Sequence, residues 1–389
     1  MGFDKKAYSE YEEKLYSFTD NAEFTEEIIN ELFNELLTVL PNNGKLYKYK
    51  SLKTFHIGEL QEKYVWFSSA KDLNDDKDCT FNANCLKEIN SLVKFLLTDN
   101  NYRKFVVKGL YLNLVRNNPE ITPKIIEDCL ACVNNNGSAI GKLKLDRFCK
   151  DYKLTNEQKQ ELIKDIQLYS EKAQNEEFIR HSISNLYEQM QEVRKGVRVC
   201  SLTTSFKKDS MWAYYCGNKG ICVEYDFSKL YSYEQKKVFI NTQKVRYGRK
   251  KKFSYIDIIK DKMEDSSESV ARADKMIISQ LLTKDKSWLT EDEWRVLMFV
   301  KDDSQEMKVS ADIISAIYID YSVLNHKKTK QIIKIAKDNG WKVYVRYFDR
   351  INVEYRYETI EKTIKYIDEL KKMGLFNTSN NLKEKTENA

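Results

Sequence analysis

The sequence predicts an α+β protein: a mixed, mainly antiparallel central sheet that carries a large all-helical insertion. Three observations lead there. Short runs rich in aromatic and β-branched residues, such as KYVWFSS (63–69), VRVCSLTTS (197–205) and KGICVEYDF (219–227), read as strands. Helical periodicity dominates from about 86 to 196, in segments such as CLKEINSLVKFLLTD and NEQKQELIKDIQLYSEKAQ. Elsewhere strands and helices mix without a regular βαβ repeat. With 389 residues, 42% of them hydrophobic, the chain can bury a large core.

Residues 1–44 read as helices. FTEEIINELFNELLTVL places Ile28, Leu32, Leu36 and Leu37 at helical spacing, with Thr25 as a cap, and Pro41-Asn42-Asn43-Gly44 stops the helix. Strands follow at 45–50 and 63–69, with a helical turn in TFHIGEL between them and the polar turn AKDLNDDKDC after the second. Beyond the insertion, strands at 197–205 and 219–227 flank a helical turn at DSMWAYYCG. KKVFINTQKVRYG reads as a strand pair or one bent strand, and a long helix is expected over 252–284. Strands at 293–300 and 312–320 come next. Then HKKTKQIIKIAKDNG reads as a helix with Gly340 just past its end, WKVYVRYF as a strand and IEKTIKYIDELKKMG as a last helix. The core domain is therefore 45–85 with 197–375. Residues 376–389 have almost no apolar content and are expected to be disordered.

Several function classes are excluded. The excess of 65 basic over 59 acidic residues, +6, is too small to mark a nucleic-acid binder by itself. No run approaches the roughly 18 apolar residues of a membrane span, and the start has no signal-peptide core, so a cytoplasmic protein without a membrane partner is expected. Cys129 and Cys132 have CxxC spacing, but no second CxxC or paired histidine follows, so they read as apolar thiols on a helix and no metal is expected. His56, His181 and His326 stand far apart. No P-loop, dinucleotide fingerprint or nucleophile elbow appears.

What remains are four polar clusters, each at the edge of an expected strand: Tyr47, Lys48 and Tyr49; Asn74 and Asp75; Thr203, Thr204, Ser205, Asp209, Trp212 and Tyr215; and Glu291, Glu293 and Arg295 in TEDEWR. Each has an ordinary structural reading. Asn74-Asp75 suits a turn or cap, Trp212 and Tyr215 suit a core helix face, and Glu293 and Arg295 share a strand face on which they could pair in solvent.

In LYKYKS (46–51), VWFSSAKDLND (65–75), VCSLTTSFKKDSMWAYYCGNKGICVEYDF (199–227) and KSWLTEDEWRVLMF (286–299), taken in that order, the chain resembles the bacterial family called domain of unknown function 2971. That family is related to a component of an abortive-infection phage-resistance system, so the resemblance implies a bacterial antiviral defence effector. The family carries Asn-Asp-Pro, an aromatic and an acid where this chain has Asn74-Asp75-Asp76-Lys77. The layout of an aromatic first strand, a Ser/Thr-rich strand and a late strand entered through Glu-x-Glu looks like that of ADP-ribosyltransferases. This second likeness implies an NAD-consuming toxin with a transferase-like fold. It assigns Glu293, Glu291, Tyr47 and Tyr49 to catalysis, and Lys48, Thr203, Ser205, Trp212, Tyr215 and Arg295 to binding NAD, with Tyr214 as an alternative stacking ring. Where the family has Arg or His on the first strand, YKY has neither.

Two alternatives stay open. The run RYGRKKKF, with Arg246, Arg249, Lys250, Lys251 and Lys252 beside Tyr247 and Phe253, suits a nucleic-acid contact or a solvated loop. The helical insertion could instead dock a phage-derived trigger or a partner defence protein, in a chain without catalysis.

Overall fold

The structure, a computed structural model, describes residues 3–17, 25–73, 75–80, 194–250, 267–300 and 307–375, with isolated positions between 150 and 257. The chain divides into two compact units. One comprises Met1–Asp78, Gly196–Arg249 and Leu282–Ala389, the other Cys79–Lys195 and Lys250–Leu281. The expected insertion at 86–196, Cys129, Cys132 and the 376–389 tail fall almost wholly outside the described residues.

The first unit begins with α1 (Lys5–Ser17) and α2 (Glu26–Val39). Thr25 caps α2 by accepting from the Ile28 N–H, and the helix buries Ile29, Leu32, Phe33 and Leu36 at helical spacing. Asn42 and Asn43 then take left-handed backbone angles, φ +53° and +57°, and turn the chain into β1 (Lys45–Ser51). After it come α3 (Thr54–Glu62), β2 (Tyr64–Ser69), β3 (Val197–Thr203), α4 (Asp209–Cys216) and β4 (Gly220–Asp226).

Here the structure departs from expectation. The segment read as a strand pair opens instead with a helix, α5 (Tyr233–Phe239), because Ser232 accepts from the Gln235 N–H and starts a helical turn. Short strands β5 (Thr242–Lys244) and β6 (Arg246–Tyr247) follow. Of the long helix expected over 252–284, α6 (Ser267–Leu281), in the second unit, is helical, while Thr283–Lys284 form strand β7 paired with β6. The remaining elements are β8 (Glu293–Phe299), β9 (Met307–Ser310), β10 (Ile314–Asp320), α7 (Lys327–Asp338), β11 (Lys342–Asp349), β12 (Glu354–Thr359) and α8 (Ile360–Lys372). Sequence reading placed no strand at β9 or β12; both are short and partly exposed, and β12 is half charged residues.

Ten of the described strands form one large sheet in the order β12-β11-β10-β4-β1-β3-β2-β9, with β8 branching from β3 and β5 pairing with β8. Within this sheet pairing is antiparallel except between β10 and β11, joined through α7, while β6 and β7 pair in parallel as a separate two-stranded sheet. The fold is α+β, mixed and mostly antiparallel. One face of the central strands, through Leu46, Ile221, Val223 and Ile317, packs into a core shared with α2 and α7. The opposite face carries Tyr47, Tyr49, Cys222 and Tyr318 against Trp212 of α4. Gly220 is required where β4 passes β1: a Cβ there would lie 2.4 Å from the Lys50 carbonyl oxygen.

Strand β3 is where the sheet forks. Along its whole length it pairs with β8, from Val197↔Phe299 to Thr203↔Glu293. Its other edge is shared: Thr203 pairs with Tyr47 of β1, while Val199 and Arg198 pair with Ser68 and Ser69 of β2. A strand has only two edges, so between these contacts β1 and β2 diverge. A cleft opens in the gap.

Candidate active site in the sheet fork

The cleft measures about 870 Å³ with its mouth included. Tyr47, Lys48 and Tyr49 of β1, Ser68 of β2 and Ser201 and Thr203 of β3 form its walls, while Tyr215, Lys284, Trp288, Glu291 and Glu293 close the far side. Asp72, Asp75 and Asp78, from the polar turn after β2, line it as well.

The entrance to β8 sets the chemistry. A 3-10 turn, Lys286–Glu291, ends at Asp292, whose φ of +43° lies in the left-handed region. Asp292 is fixed there by Lys244, at 2.5 Å, and by the Thr204 hydroxyl. Thr203 donates to the Glu291 carbonyl oxygen at 2.5 Å. With the backbone pinned on both sides, Glu291 from the turn and Glu293 from the strand both reach the cleft.

Neither carboxylate is solvated: Glu291 is 4% and Glu293 3% exposed. Lys284 donates to both, at 2.6 Å to Glu291 Oε2 and 3.1 Å to Glu293 Oε2. Arg295, with no exposed surface, donates from Nε to Glu293 Oε1 at 2.7 Å and from both terminal nitrogens to Asp78 at 2.9 and 2.5 Å. Tyr215 donates to Glu291 Oε1 at 2.6 Å. Buried charge is tolerated only when paired and hydrogen-bonded in this way.

The two carboxyls are driven apart in proton affinity. Burial alone would raise Glu293, but the charges of Arg295 and Lys284 outweigh it and hold the group at about 2. Glu291 is raised above its ordinary value by burial and by the neighbouring Glu293 charge, with Lys284 and Tyr215 offsetting part of the shift. Burial opposes the charge of Lys284, yet Glu293 and Glu291 raise its pKa and keep it an ammonium. Among the described residues three carboxylates, Asp78, Glu291 and Glu293, thus face two cations, Lys284 and Arg295. The cluster is neutral with Glu291 protonated and carries one negative charge once it ionises.

Of the residues singled out by sequence, Tyr47, Lys48, Tyr49, Thr203, Tyr215, Glu291 and Glu293 line one cleft, and Asp75 joins them. Tyr49 donates to the Ser205 carbonyl oxygen, and the Lys48 ammonium lies 3.6 Å from the Cys200 sulfur. Three expectations are corrected. Arg295 cannot grip a phosphate, because its guanidinium is wholly buried and bonded to Asp78 and Glu293. Trp212 is core: it has no exposed surface and donates to the Phe206 carbonyl oxygen. Ser205 lies off the cleft, where its hydroxyl oxygen accepts from the Lys207 N–H. Tyr214 is 58% exposed and packs edge-on against Tyr215 and Trp288. Asn74 lies outside the described residues; Asp75 accepts from the Lys77 N–H and from the Trp288 indole, as a turn residue does.

The basic run divides as well. Arg246 makes a two-pronged contact with Glu12 of α1, at 2.7 and 2.8 Å, while Lys250 donates to the Thr80 carbonyl oxygen. Arg249 is exposed, and Lys251 and Lys252 lie outside the described residues. Sequence reasoning missed Lys284, Asp78, Ser201 and Trp288. Lys284 was masked by its placement at a helix end. Asp78 was one of three acids in NDDKD, and only the fold says which of them meets Arg295.

Fold and site together define an α+β protein with a candidate active-site cleft in a forked sheet, floored by a paired-carboxylate cluster. Residues 211–296 match the family described as protein of unknown function (DUF2971). The span runs from α4 to the middle of β8 and includes Tyr215, Lys284, Glu291, Glu293 and Arg295, so the resemblance rests on the segment that builds this floor. Neither a curated protein nor a solved structure matches the chain. No helix among the described residues is long and apolar enough to cross a membrane.

Proposed function

We propose that the cleft binds NAD and breaks its nicotinamide–ribose bond, transferring ADP-ribose as an ADP-ribosyltransferase-like toxin of bacterial anti-phage defence. The observation that carries this reading is the line Tyr47, Thr203, Glu293, set side by side on β1, β3 and β8 by direct strand pairing and facing one cleft. Tyr47, Tyr215 and Trp288 offer rings to a planar base, and Lys48 offers a cation to a phosphate.

The chemistry follows from charge. When the C–N bond breaks, its electron pair passes to the nicotinamide ring and cancels the ring's positive charge, leaving positive charge on the ribosyl carbon. A cluster with one surplus negative charge steadies that carbon, as carboxylates do in glycoside cleavage. Glu293 has both oxygens engaged by Arg295 and Lys284, so its part is to position and polarise. Glu291 also has both oxygens bonded, to Tyr215 and Lys284, but its higher proton affinity makes it the carboxylate able to take the proton of the incoming acceptor. Burial and the Glu293 charge raise its pKa, the direction that favours general-base work.

The test is NAD binding by calorimetry and nicotinamide release by chromatography. Glu291→Gln should keep the affinity for NAD within a few-fold and abolish release. Absence of NAD binding in the folded wild-type protein, or full turnover in Glu291→Gln, would refute the reading.

A further inference from the structure

Helix α7 carries a feature that the cleft does not use. Lys327, Lys330, Lys334 and Lys337 are all exposed, and at a helical repeat they fall within one stripe about 15 Å long. Among the described residues none of the four makes an ion pair or a hydrogen bond through its side chain. Residues 327–342 hold six lysines against one aspartate, net +5, while the whole chain carries only +6. Residues 246–252 carry the same net charge, so α7 holds one of two dense positive runs.

Stability does not account for the arrangement. Lys327 and Lys328 occupy the first turn of α7, where the helix dipole disfavours cations, and no acidic residue stands in that turn to offset them. Like charges three and four residues apart on the stripe also repel. Among the described residues neither cost is recovered except at Lys328, which donates to the Leu52 carbonyl oxygen. The apolar residues of α7 are already committed: Ile332 and Ala336 are buried in the core, and Ile333 and Ile335 pack against it. Nothing on the exposed face is left to insert into a bilayer, which a membrane-binding helix needs.

We propose that the lysine stripe of α7 binds the sugar-phosphate backbone of a single-stranded nucleic acid. A straight line of point charges on a convex helix matches one strand's phosphates. Because the stripe bears no aromatic or amide side chain other than Gln331, it reads charge and not sequence. This goes beyond the cleft chemistry and gives the protein a surface by which RNA or displaced DNA could recruit it. The run at 246–252 is the poorer candidate, since Arg246 is spent on Glu12.

The test uses the full-length protein and fluorescein-labelled oligouridine, followed by anisotropy as a function of salt. Four phosphate contacts predict a slope of log K on log[salt] of about −3, or roughly a 50-fold loss between about 50 and 200 mM. The variant with Lys327, Lys330, Lys334 and Lys337 all changed to Gln should lose that slope, with a thermal midpoint no lower than that of the wild type and NAD binding unchanged. Unaltered oligouridine binding in the variant, or salt-insensitive binding in the wild type, would overturn the proposal. So would capture by phosphatidylserine vesicles without oligouridine binding.

Discussion

Replacing Arg295 by Met gives the sharpest test of the site's architecture. The wild-type guanidinium has no exposed surface and binds Asp78 through two nitrogens and Glu293 through Nε. Removing it takes the guanidinium from two buried carboxylates, both of which Lys284 also contacts. Breaking a buried ion cluster in this way costs about 3–5 kcal/mol. The depression of Glu293 from 4.5 to about 2 gives a similar figure, about 3 kcal/mol, at 1.36 kcal/mol per pKa unit. For a unit of roughly 150–250 residues, each kcal/mol moves the midpoint by about 2–4 °C, so a loss of about 10 °C is expected near neutral pH.

The pH dependence has a definite sign. Glu293 has a folded pKa below its unfolded value, so its stabilising contribution is fully present above about 4.5 and fades as pH falls toward 2. The gap between wild type and Arg295→Met should be widest above pH 5 and shrink on acidification. Thermal unfolding followed by near-UV circular dichroism from pH 7.5 down to 3.5 measures it. A variant as stable as the wild type at pH 7.5, or a gap that does not change with pH, would show that the cluster is not the buried network described.

Three further outcomes are expected. Lys284→Met removes a charge that lowers the Glu291 pKa, so the rising limb of the nicotinamide-release profile should move to higher pH; a limb that stays in place would exclude Glu291 as its origin. Gly220→Ala forces a methyl group against the Lys50 carbonyl oxygen, and denaturant unfolding should show a loss of about 1–3 kcal/mol. Val353 is 74% exposed with φ +57°, an unfavourable backbone for a β-branched residue, so Val353→Gly should raise stability by up to about 1 kcal/mol in the same assay.

Local chemistry made much of the fold legible. The aromatic and β-branched run 64–69, the Thr25 cap before α2 and Gly340, φ +69°, after α7 are signals that act within a few residues, and each element lies close to where it was expected. The failures share a cause. KKVF has strand-like composition, but a serine cap and a packed Phe239 make it a helix. β12 pairs a charged run with β11, a partner that period-2 patterning cannot supply.

By itself the sequence determined which residue types stood at the strand mouths, and that Glu293 and Arg295 would share a face, because side chains alternate along a strand. It also determined the lysine spacing on α7. Only the tertiary structure decided that β1 and β2 divide one edge of β3, that Asp78, distant in sequence, meets Arg295, and that Lys284 stands between Glu291 and Glu293. A charge at a strand entrance is cheap in water and costly in a core. Which of the two it meets depends on long-range pairing, and here that pairing buried the pair and shaped its acid–base character.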